Sequence, residues 1–119
     1  MPIVETSSAK DALVAGEVGT LEAITIASGQ NLARGTVLGF ITANNKAVLS
    51  LAAAEDGSET PVAILSDAVD ASAGDRPAVA YFAGEFNSRA LVLGAGHTIE
   101  SIRGALRARG IFLRTAAAS

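Results

Sequence analysis

Two apolar runs punctuated by glycine and by turn residues constrain this chain most. Residues 28–39 read SGQNLARGTVLG and place Ser28, Gly29, Gln30 and Asn31 before a short apolar run, with glycines at Gly35 and Gly39. Residues 56–70 read DGSETPVAILSDAVD; they open on an Asp56-Gly57 turn and return to a second apolar run at 62–65. Glycine within or beside β-branched residues marks a bulge, a bend or a place where another backbone comes close. The pattern predicts bent β ribbons, not the converging polar groups of a catalytic motif.

The rest of the chain extends that reading. Residues 1–20 mix Pro, Ser, Thr, Ala and Gly without a sustained period and are expected to form a flexible arm that a partner would order. From Leu21, Ile24 and Ile26 alternate with Thr25 as in a half-buried strand, and residues 29–31 turn the chain. Residues 36–42 form the next strand. Asn44 and Asn45 tolerate positive φ, so residues 47–51 fold back as the second arm of a hairpin. Residues 52–60 are a loop, and Pro61 opens a strand at 62–66, where its missing N–H does least harm to a ladder.

Residues 70–77 make a turn-rich connection to a strand at 78–83, and Gly84, Glu85 and Asn87 suggest a reversal or bulge before a strand at 90–93. One helix is predicted: Thr98 as N-cap, Glu100 in the first turn, Ile99, Ile102 and Leu106 as an apolar stripe, Gly110 as the stop. Gly104 inside it costs about 1 kcal/mol against alanine and points to close packing on another element or subunit. A strand at 111–113 follows. The expected organisation is an arm at 1–20, a folded domain at 21–114 and a disordered tail at 115–119.

At 119 residues the chain is one domain with a modest core. Half of the residues are apolar, but much of that is alanine, which buries little area, and no run approaches the roughly 18 apolar residues of a membrane helix. The chain therefore reads as soluble, and a small core with apolar strands to spare favours burial between subunits. A net charge of -3 gives no reason to expect nucleic-acid binding. Arg103, Arg107, Arg109 and Arg114 are read as a solvated face and dipole complement. The absence of cysteine excludes disulfides, thiol nucleophiles and thiolate metal sites, and fits a reducing compartment. The first residues, MPIVETSSAKD, lack the basic and apolar regions of a secretory signal and are read as the start of the mature chain.

Chemistry finds few footholds. His97 is the one histidine; it lies in Gly94-Ala95-Gly96-His97-Thr98 and reads as a solvated or capping residue rather than a general base. The glycines before it resemble a phosphate loop only superficially, without the lysine and hydroxyl that complete one. Glu55, Asp56, Glu59, Asp67, Asp70 and Asp75 lie in turn-rich loops without the alternate spacing of a calcium loop, so no metal or cofactor is expected. Lys46, after two asparagines at a hairpin tip, is placed as in lipoyl or biotinyl carrier domains. It lacks the acidic residue or methionine those carry before the lysine, so the expected role is solubility and edge protection.

In order and spacing, SGQNLARGTVLG, DGSETPVAILSDAVD, AVAYFAGEFN at 78–87 and RGIFLR at 109–114 resemble the lambda D-protein-like head decoration proteins of tailed bacteriophages. The resemblance covers residues 15–114. It implies a mainly β domain with one short helix, of β-clip or β-tulip type, forming a homotrimer. It further implies binding to three-fold and quasi-three-fold sites outside the expanded capsid, clamping major capsid subunits against the pressure of packaged DNA. Such a protein would sit on the virion's outer surface after assembly in the host cytoplasm, with itself and the capsid lattice as partners and no nucleic acid or membrane. Related proteins reach the capsid with an N-terminal arm, so Ile3, Val4, Leu13, Val14 and Val18 are the expected capsid-binding residues. The alternative is a small enzyme or cofactor-carrier domain of β-clip or barrel-sandwich type with Lys46 at its hairpin tip.

Overall fold

A computed structural model of the chain describes residues 13–114. Ten strands and one helix follow in order: β1 (Val14–Val18), β2 (Leu21–Ile26), β3 (Asn31–Leu32), β4 (Val37–Phe40), β5 (Ala47–Leu49), β6 (Ala63–Leu65), β7 (Val69–Asp70), β8 (Arg76–Tyr81), β9 (Gly84–Asn87), α1 (Ile99–Arg107) and β10 (Ile111–Arg114). The protein is mainly β with one helix, as the sequence leads one to expect.

The two apolar runs become β4 and β6, which pair antiparallel in the middle of a closed barrel ordered β2-β5-β4-β6-β8. Both are buried on both faces, which is why they read as unbroken apolar runs rather than alternating ones. Leu38, Ala63 and Leu65 point into the barrel with Ile26, Ala47 and Ala80. Val37 and Ile64 point outward into a second core with Leu13, Phe86, Ile102, Leu106 and Ile111. One wall therefore serves two cores. Close approach explains its glycines: Gly35, at φ +91, lies against the Ala90 carbonyl, and a Cβ on Gly39 would collide with the Ser58 carbonyl.

The second core is closed by a three-stranded sheet, β1-β9-β10, and by α1. β1 runs antiparallel to β9, with Val14 opposite Phe86 and Val18 opposite Gly84, and β10 runs parallel to it. That parallel pairing needs a crossover, which α1 supplies. The helix starts where expected: Thr98 Oγ1 accepts from the Ser101 N–H at 3.1 Å, and Ser101 Oγ accepts from the Thr98 N–H at 2.8 Å. Ile102 and Leu106 are fully buried, and Gly110 turns the chain into β10.

The hairpin of β4 and β5 forms as predicted, with Asn45 at φ +58 in its turn. The expectations for residues 84–87 and 90–93 are corrected. Residues 84–87 are no reversal but the central strand β9, four residues too short and too mixed to show a period; residues 90–93 are no strand, since Ala90 closes a 3-10 turn (Ser88–Ala90) and Val92 makes an isolated bridge to Thr36. Gly104 packs against no other element of this chain, since nothing lies within 4 Å of the place its Cβ would take.

Candidate functional surface

The expected capsid-binding residues divide in two. Ile3 and Val4 lie outside the described residues. Leu13 is buried in the outer core, and its carbonyl accepts from the Asn87 N–H at 2.7 Å. Val14 packs against the same core, and Val18 lies opposite Gly84. The structure thus brings Leu13, Val14 and Val18 together at the sheet, and the chain leaves it at a position fixed by both packing and hydrogen bonding.

The polar candidates prove to be structural ties. Ser50 Oγ, fully buried, donates to the Ser58 carbonyl at 2.7 Å and lies 3.0 Å from His97 Nε2. A hydroxyl has one proton, so Nε2 must donate to Ser50. A histidine holding that proton cannot serve as base for Ser50, so the pair lacks the geometry of an activated nucleophile. What it does is tie the turn before α1 to the 50–58 loop. Capping falls to Thr98, not to His97. The Gly94-Ala95-Gly96 turn packs against that loop as well: Gly94 lies on the Ser50 carbonyl and Gly96 on Ala52.

Three carboxylates staple the barrel's turns. Asp56 accepts from the Ser58 hydroxyl at 2.6 Å and its N–H at 3.0 Å, and these bonds hold its pKa below the ordinary value. Asp70 is lowered in the same way by the hydroxyl and N–H of Ser72. Asp75 is lowered chiefly by Lys46, whose Nζ lies 2.6 Å from Oδ2, and then by the Ser28 N–H at 2.8 Å. Lys46 is thus engaged in an ion pair between two turns. Among the described residues no group of three or more His, Asp or Glu side chains is placed to hold a metal ion.

Surface features that the sequence did not single out complete the picture. A cleft of about 610 Å³ is lined by Ile24, Phe40, Val62 and Phe82, with Glu22 and Asn45 at its polar margin. The Phe40 and Phe82 rings sit 6.0 Å apart across it. On the long ribbon of β2 and β8, Leu21 and Val79 remain exposed, as does Phe112 on β10. The possible signal for the cleft was two phenylalanines at strand ends, but nothing in the sequence says that those ends converge.

The body is mainly β with one helix, is tied by polar turns and carries exposed apolar side chains on its ribbon and outer sheet. The model of one family, described as bacteriophage lambda head decoration protein D, matches residues 2–111, and the chain belongs to that family. No individual curated protein matches it at a significant level. Membership makes it a structural protein of the bacteriophage capsid with a decoration role, located on the virion.

Proposed function

We propose that the chain binds as a homotrimer to three-fold and quasi-three-fold positions on the outside of the expanded capsid and clamps neighbouring major capsid subunits against internal DNA pressure. Residues 1–12, with Ile3 and Val4, make the capsid contact, and Leu13, Val14 and Val18 anchor that segment to the fold. The observation that supports this most is Leu13, buried in the outer core immediately before β1. A segment rooted there passes its hold on a neighbour directly into the packed sheet. Three such segments on one trimer bind with high effective concentration even when each alone is weak.

The test is truncation. A chain beginning at residue 13 should keep the fold and the trimer, and should lose at least tenfold in affinity for expanded capsids, about 1.4 kcal/mol. Equal decoration by the truncated and full chains would move the clamp onto the folded body.

A further inference from the structure

We infer that copies of this chain associate head to tail, with the solvent face and basic end of α1 in one copy docked on the acidic 55–59 loop of the next. This rests on the trimer reading above and names its interface.

The first observation is charge segregation. Residues 19–82 carry seven carboxylates against three cationic side chains, whereas residues 83–114 carry five arginines against two carboxylates. Arg107 and Arg109, both exposed, have no carboxylate partner among the described residues. At the opposite end of α1 the 50–58 loop is tied to the turn preceding the helix through Ser50 and His97 and through the Ala52 N–H to Ala95 carbonyl bond at 3.1 Å. This loop presents Glu55, Asp56 and Glu59, none with a cationic partner among the described residues. Opposite charges thus lie at opposite ends of one short element. A single copy cannot bring them together, but a second copy displaced along the helix can.

The second observation is the helix face itself. Ser101, Gly104 and Ala108 lie exposed on one side of α1 or at its end, and the space over Gly104 is empty. An exposed interior glycine weakens a helix, and no contact within the chain requires it. Small side chains let a neighbouring backbone come close, which brings the arginines within reach of the carboxylates. Head-to-tail contacts of this kind are heterologous, and they form a closed ring when the rotation between copies is one third of a turn.

The experiment measures mass in solution by light scattering, at low and high salt, for the full chain and three variants with circular dichroism to check folding. Wild type should be trimeric and weaken with salt. Arg107→Glu with Arg109→Glu should raise the dissociation constant at least tenfold. Adding Glu55→Arg and Glu59→Arg to that variant should restore assembly. Gly104→Leu should fold at least as well as wild type yet fail to assemble. A double arginine variant that stays trimeric with unchanged salt dependence overturns the interface and leaves the trimer standing. A wild-type monomer at micromolar concentration overturns both.

Discussion

The barrel interior and the outer core share a wall but are built from different materials. Half of the buried barrel cluster is alanine, at Ala47, Ala63, Ala71 and Ala80, whereas the outer core holds no alanine among its buried members and packs Phe86, Leu13, Ile102, Leu106 and Ile111. A five-stranded barrel has a narrow lumen, so branched side chains at some inward positions have to be matched by small ones at the others. The outer core spans a wider gap between a barrel wall, a sheet and a helix, and only large side chains close it. The same fold therefore meets the two opposite hazards of packing, overfilling on one side of β4 and β6 and cavities on the other.

That contrast can be broken most directly in the outer core. Phe86→Ala removes a fully buried ring that packs tilted against Tyr81 with centroids 5.1 Å apart, and should cost about 3–5 kcal/mol in urea denaturation. Ala63→Leu in the barrel should cost about 1–3 kcal/mol by overpacking, while the same enlargement at half-exposed Ala90, on the rim of the outer core, should be milder. Because Val37 and Ile64 lie on barrel strands yet belong to the outer core, all three variants should still unfold in one transition by near-ultraviolet and far-ultraviolet probes. Separate transitions would show that the shared wall does not couple the halves.

Thr98→Ala should cost about 1 kcal/mol by undoing the reciprocal cap of α1, with increased amide exchange confined to the helix and the sheet beside it. The smallest effect separates the halves by pH. Asp56, Asp70 and Asp75 all titrate below their ordinary value of 3.8, and all three staple barrel turns. Groups with depressed folded values contribute stability that is full above the unfolded value and is lost as pH falls through the lower folded one. Acid should therefore loosen the barrel turns first, as a rise in exchange at 28–30, 56–58 and 70–75 below about pH 4. Equal loosening of the outer core over that range would contradict the assignment.

Much of the barrel was legible because its signals are local. Asn45 at a hairpin tip, Pro61 before β6 and the runs of β4 and β6 each declare a strand or turn within a few residues. The helix was legible for the same reason, through Thr98, its apolar stripe and Gly110. The outer sheet was not, because its order is set by distant partners: the four residues of β9 carry one core side chain, Phe86, and become a strand only between β1 and β10. For the proposed capsid-binding residues the sequence offered only apolar character in 1–20, and burial of Leu13 depends on Phe86 and Ile111, nearly a hundred residues away in the case of the latter.

The antiparallel pairing of β1 with β9 also sets how the molecule answers a mechanical load. Tension applied at residue 13 along the strand axis would slide β1 past β9 and load the pairings of Val14 with Phe86 and of Val18 with Gly84 in shear, across the irregularity between them. Leu13 would have to be drawn out of the packed core in the same movement. Under the proposed contact through residues 1–12, a load carried by that segment would therefore meet the strand pair in shear and the buried Leu13 side chain at the same point.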